Sequence, residues 1–102
     1  MTRLALMLAL SLTLSACKEE AAQDLTPVDM TAETLGHFCQ MNLLEHPGPK
    51  AQIHLKDVSA PIFFAQVRDA LAFQRMPEQN DVITAIYVSD MGAEGATWAQ
   101  PG

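Results

Sequence analysis

The sequence predicts a small α+β domain, with a mixed or antiparallel sheet and one packed helix in the order β-β-β-α-β. Three features of the 102 residues indicate this class. Polar and apolar residues alternate over Ala51–Lys56, apolar residues recur at helical spacing over Ala65–Met76, and Val82–Val88 is rich in β-branched residues. A chain of this length buries only a modest core, so we expect one small domain, over residues 31–91.

The first three strands are predicted before the helix. Thr34–Glu45 alternates roughly between polar and apolar residues and is expected to form the first strand. The His-Pro-Gly-Pro run at 46–49 should turn the chain, because Pro and Gly interrupt regular structure. Ala51–Lys56 is then the returning strand, and Pro61–Phe64 is a short apolar third strand.

The helix and the last strand complete the predicted unit. Pro77 should end the helix over Ala65–Met76, because its ring and missing N–H are incompatible with a helix interior. Val82–Val88 is the most β-prone run and is predicted to be a central strand. Residues 92–102 form a linker without a closing element, which predicts a truncated chain. One face of the sheet should pack on the helix, and the other face needs another segment packed against it.

The N-terminus has the pattern of a bacterial lipoprotein precursor. Arg3 precedes an apolar run, Leu4–Leu14, that is too short to cross a bilayer as a permanent helix. The run ends in Leu-Ser-Ala-Cys, the order of residues in a lipobox. We therefore predict that residues 1–16 are a signal peptide and that Cys17 is lipidated.

The residues after the signal predict where the protein lies and exclude some partners. Lys18 stands where an Asp would favour the inner membrane, so we expect the outer membrane, with the folded part in the periplasm. Residues 17–30 are polar and acidic and predict a flexible tether. The net charge of −6 offers no basic patch for nucleic acid or anionic lipid. The predicted membrane link is therefore the lipid alone.

A short segment carries the soft donor atoms. Residues two apart on a strand share a face, so His37, Cys39 and Met41 are expected to project together. A thioether suits Cu(I) and is a poor ligand for harder ions, so Cu(I) is the first choice if a metal binds. One strand supplies few ligands, and Met91, after the last strand, is a candidate for another.

Two other interpretations stay open. Free Cys and Met are ordinary core residues, so Cys39 is an inert buried thiol if the protein is a structural or interaction lipoprotein. A thiol enzyme is the third class, but lipidation of Cys17 leaves Cys39 as the one remaining thiol. The sequence also has no nucleophile elbow, paired carboxylates or glycine-rich phosphate loop, so a non-enzymatic role is favoured.

Together these features resemble the NosL family of copper-binding lipoproteins, which assist nitrous oxide reductase in denitrifying bacteria. The resemblance implies a periplasmic Cu(I) chaperone that works with an ABC-type membrane complex to mature the copper–sulfide centre of the reductase. Cys39 and Met41 match the ligand motif of the family, and His37 matches it less closely. The family also implies two similar α+β units, reminiscent of organomercurial lyase, of which this sequence would hold the first.

Overall fold

A three-stranded antiparallel sheet and one helix form the centre of the fold. The computed structural model describes residues 23–102, so the predicted signal peptide at 1–16 and the lipidation of Cys17 lie outside the described residues. Within that described part, no helix is both long and apolar enough to cross a bilayer. The elements are a 3-10 turn at Leu43–Glu45, β1 at Ala51–Leu55, β2 at Ile62–Phe64, α1 at Val67–Arg75 and β3 at Ile83–Val88.

Strand β1 occupies the middle of the sheet. Ile53 lies opposite Ile62 of β2 on one side and opposite Ile86 of β3 on the other, and both pairings are antiparallel. The expectation that Val82–Val88 is a central strand is therefore wrong, because β3 is an edge of the described sheet. The short connection from β1 makes β2 its hairpin partner, and the chain returns through α1 to the free side of β1.

The core lies between α1 and one face of the sheet. Ala70 and Phe73 are three residues apart on α1 and therefore point from the same side of the helix towards β1 and β2. The helix predicted over Ala65–Met76 is confirmed, and it begins slightly later, at Val67. The buried core cluster comprises Ala51, Ile53, Leu55, Phe64, Ala70 and Phe73.

The other face of the sheet is contacted by residues 23–30, the described part of the predicted tether. The Gln52 side chain accepts a hydrogen bond from Val28 N–H (2.9 Å) and donates one to Val28 O (3.0 Å). The Tyr87 hydroxyl donates to Leu25 O at 2.7 Å. These hydrogen bonds hold residues 23–30 against β1 and β3. The boundaries predicted at 17–30, 31–91 and 92–102 stay predictions.

His54 is buried on this second face, with 1% of its surface exposed. Its Nε2 lies 3.1 Å from Gln52 Oε1, and its ring packs edge-on against Tyr87 at 5.7 Å. Its Nδ1 has no hydrogen-bond partner among the described residues. The alternation over Ala51–Lys56 does not predict the burial of His54, because a strand pattern carries no information about a distant segment that lies over the strand.

Lys50 fixes the turn that precedes β1. The run at 46–49 bends the chain, as predicted. The Lys50 ammonium donates to the carbonyl oxygens of His46 (2.6 Å) and Gly48 (2.9 Å), although Lys50 is only 2% exposed. Burial lowers the pKa of Lys50 from its ordinary value, because it disfavours the charged form.

A substitution at Phe64 tests where the core lies. Phe64→Ala should lower the free energy of unfolding by about 3–5 kcal/mol, because it leaves a cavity beneath α1. Leu71→Ala is the matched control on the exposed side of α1 and should change it by about 0.5 kcal/mol or less. Denaturant unfolding followed by circular dichroism measures both, and equal losses would contradict this placement of the core.

Candidate metal centre

A tight hairpin, residues Gly36–Met41, replaces the first predicted strand. Gly36 N–H donates to Met41 O at 3.0 Å, and Gln40 N–H donates to Gly36 O at 2.9 Å. Leu35 and Asn42 face each other across an isolated antiparallel bridge at the base. The prediction of one continuous strand over Thr34–Glu45 is therefore wrong, because the chain reverses direction within it.

Gln40 makes the reversal. Its φ of 55° lies in the left-handed region, which costs a residue with a Cβ about 1–2 kcal/mol. The Gln40 side chain offsets part of this cost by donating to His37 O (2.8 Å) and Gly36 O (3.2 Å). Gly or Asn is the usual residue in this conformation, so a Gln at position 40 does not predict a turn.

Asn42 and Leu43 anchor the base of the hairpin. The Asn42 side chain accepts from Leu44 N–H at 3.1 Å, which caps the 3-10 turn, and donates to the carbonyl of Ala32. Leu43 N–H donates to Thr34 O at 3.0 Å, and the Leu43 side chain is fully buried. The two ends of the hairpin are therefore tied to structure on both sides.

The hairpin joins the free edge of β2. Gly36 forms an isolated parallel bridge with Phe63, and His37 N–H donates to Phe63 O at 2.7 Å. The His37 ring packs edge-on against Phe73 (5.4 Å between ring centres) and Phe64 (5.7 Å). Phe38 lies 5.4 Å from the same ring. We call His37, Phe38, Phe64 and Phe73 the aromatic cluster, and it links the hairpin to the core.

The hairpin contains three of the four predicted ligands. Cys39 is half-buried, and its Sγ lies directly against Gly36. Met41 is 49% exposed, and His37 is exposed although its ring packs in the aromatic cluster. The expectation that these residues share one strand face is wrong, because residues 37–39 form a turn. This turn places the three residues in one loop.

Met91 lies at the other edge of the sheet. It follows β3, whereas the hairpin pairs with β2, and β1 separates the two strands. Neighbouring strands are about 4.8 Å apart, so three spacings, roughly 14 Å, separate the hairpin edge from β3. The described fold does not bring Met91 to the hairpin, and its role as a ligand stays a prediction.

The donor atoms of the hairpin are soft. Cys39 offers a thiolate and Met41 a thioether, a pair that suits Cu(I). Residues 23–102 hold no cluster of three or more His, Cys, Asp or Glu side chains placed to bind a metal ion. The hairpin therefore presents sulfur donors, the kind of ligand that soft metal ions prefer.

A substitution at Gln40 tests whether the hairpin controls access to the Cys39 thiol. Gln40→Ala removes the donors to the carbonyls of Gly36 and His37, each worth about 0.5–1.5 kcal/mol. The two bonds together contribute about 1–3 kcal/mol, so alkylation of Cys39 in the native protein should accelerate about fivefold or more, because the loop opens more often. Gln74→Ala, at an exposed position on α1, is the control and should leave the rate unchanged. Equal rates in both variants would contradict this role of Gln40.

Comparisons with known proteins point to one family. The NosL family model matches residues 27–102. The chain is 65% identical over 100 residues to the copper-binding lipoprotein NosL of Achromobacter cycloclastes, covering 98% of this chain and 52% of that protein. It is 34% identical over 101 residues to the copper-binding lipoprotein NosL of Stutzerimonas stutzeri, covering 98% and 50%. The chain therefore spans about half the length of these relatives.

A solved structure shares the fold. The crystal structure of the copper chaperone NosL from Shewanella denitrificans matches with a TM-score of 0.64 and 28% identity, over 76% of this chain and 56% of that chain. The predicted class, a small α+β unit with an antiparallel sheet and one packed helix, is confirmed, and coverage of 56% of that chain fits one half of a two-unit fold. The strand and helix order is β-β-α-β and not β-β-β-α-β, because the hairpin replaces the first predicted strand. The match of the family model and both levels of identity lead to one conclusion: the chain belongs to the NosL family.

Proposed function

We propose that this chain is a non-enzymatic Cu(I) carrier that binds its cargo through Cys39 and Met41. The observation that carries the proposal is the Gly36–Met41 hairpin, which holds a thiol and a thioether in one closed loop. The relatives named copper-binding lipoprotein and copper chaperone support the choice of metal. The softness of the two sulfur donors supports the Cu(I) state.

The exposure of the two ligands suits a protein that must release its metal. Cys39 is half-buried and Met41 is 49% exposed, so one ligand is sheltered and the other faces solvent. A receiving site can therefore approach from the Met41 side and replace the thioether first. Cys39 binds as the thiolate, so copper capture releases a proton and the affinity falls as the pH is lowered.

His37 is the candidate for a third ligand. Its backbone is held by Phe63 O, and its ring rests against Phe64 and Phe73, so its position is fixed before any metal arrives. An imidazole nitrogen is compatible with copper, although the sulfur donors determine the preference for Cu(I). Cys39 and Met41 are therefore the principal ligands of this proposal, and His37 ranks behind them.

The copper has a specific destination in this proposal. We propose delivery to maturation of the copper–sulfide centre of nitrous oxide reductase, with an ABC-type membrane complex as partner. A lipid on Cys17 would keep the carrier on the periplasmic side of the outer membrane. Membership of the NosL family and the lipobox sequence at residues 14–17 support this placement.

An interaction lipoprotein with an inert thiol is the second candidate. Three apolar side chains around the hairpin favour it, because Leu35 is 50%, Phe38 43% and Met41 49% exposed. Such a surface suits contact with another protein. A Cys39 thiol that resists alkylation both before copper is added and after copper is chelated would support this candidate over the carrier.

Ligand removal tests the proposed site. Cys39→Ser should weaken Cu(I) binding about a hundredfold or more and Met41→Leu about tenfold or more, because changes even outside the ligand set cost about 10–100-fold. Anaerobic titration against a chromophoric Cu(I) chelator measures the affinity. Met76→Leu is the matched control, since Met76 is 39% exposed and follows α1.

The control variant should bind Cu(I) as the wild-type chain does. If Cys39→Ser and Met41→Leu also retain the wild-type affinity, the hairpin is not the copper site. The same titration at lower pH should give weaker binding to the wild-type chain, because protons compete for the Cys39 thiolate.

A further inference from the structure

We propose that Gly36 is a positioning residue for the copper ligand Cys39, an inference that rests on the proposed function. Gly36 is buried at the start of the hairpin. A Cβ built on Gly36 would overlap the Cys39 Sγ, whereas it would lie 3.4 Å from Leu43 Cδ2 and 3.8 Å from Ala65 N. The sulfur therefore occupies the space that any side chain at position 36 would need.

The backbone conformation of Gly36 does not itself require glycine. The glycines with positive φ in residues 23–102 are Gly48 and Gly95, so Gly36 has a backbone that other residues adopt. Its distances to Leu43 and Ala65 are ordinary van der Waals contacts. Contact with the Cys39 sulfur is therefore the specific reason for a glycine at this position.

Hydrogen bonds keep the Gly36 backbone from moving aside. Its N–H donates to Met41 O at 3.0 Å, and its carbonyl accepts from Gln40 N–H at 2.9 Å. A new Cβ would therefore displace the thiol, which moves by rotation about one side-chain bond. The next staggered rotamer is about 120° away, so the Cys39 sulfur would leave its place in the loop.

Gly36 thus contacts both proposed ligand residues. Its backbone N–H donates a hydrogen bond to the carbonyl of Met41, and its Cα, which carries no side chain, lies against the sulfur of Cys39. One residue therefore couples the position of the thiol to the backbone of the residue that carries the thioether. Such an arrangement holds the thiolate ready for Cu(I), which reduces the ordering that binding must impose.

A double-variant cycle tests the contact without copper. Gly36→Ala should lower the midpoint of denaturant unfolding in the wild-type chain, and should leave it unchanged when Cys39→Ala has already removed the sulfur. Equal losses in both backgrounds would overturn the proposal, because Gly36 would then be needed by the backbone or by Leu43. If Gly36→Ala alone does not fold, recovery of folding by Cys39→Ala supports the contact, and failure of recovery overturns it.

A Cu(I) titration tests the consequence for the ligand. Gly36→Ala should weaken Cu(I) binding about tenfold or more, as removal of a residue that orients a ligand does. Gly92→Ala is the control, because its Cβ would lie 3.3 Å from the exposed Asp90 carboxylate, in the loop after β3. It should bind as the wild-type chain does.

Alkylation of Cys39 provides a readout that does not depend on copper. Its rate should change in Gly36→Ala and not in Gly92→Ala, because only the first moves the thiol. A Gly36→Ala variant with wild-type affinity and wild-type alkylation overturns the positioning role while the proposed function stands. A wild-type chain that binds no Cu(I) overturns the proposed function instead, and the unfolding cycle still reports whether the sulfur contact exists.

Discussion

The hydrogen bond from Gly36 N–H to Met41 O closes the loop on which the candidate site depends. It brings the two ends of the hairpin together, so that the residue carrying the thioether lies beside the residue against which the thiol packs. Without this closure Cys39 and Met41 would be neighbours in sequence only. Gln40 stabilises the closed form, because its left-handed backbone turns the chain and its side chain bonds to the carbonyls of Gly36 and His37.

The sheet determines where this loop lies. The hairpin adds to the edge of β2 through Phe63, and the aromatic cluster continues from His37 into the core through Phe64 and Phe73. An edge strand with unpaired backbone groups is a place where another segment can bind. The candidate site is therefore packed against the buried core and still faces solvent on the Met41 side.

The sequence predicted the elements whose pattern is local. Ala51–Leu55 alternates and α1 has helical spacing, so both were predicted close to their observed bounds. The hairpin was missed because Gln40 adopts a conformation that its residue type does not signal. The burial of His54 was missed because it depends on residues 23–30, which are distant in sequence. The soft donors made Cys39 and Met41 candidate ligands by chemistry alone, whereas the contact between Gly36 and the Cys39 sulfur required coordinates.

The most direct test of the copper site is X-ray absorption at the copper edge of the Cu(I)-loaded chain, because this measurement identifies the atoms bound to the metal. We predict a first shell with two sulfur scatterers in the wild-type chain, one from Cys39 and one from Met41. The Met41→Leu variant should lose one of them. A wild-type spectrum that shows only nitrogen or oxygen neighbours, or a sulfur shell unchanged in Met41→Leu, would contradict the claim that the hairpin binds Cu(I).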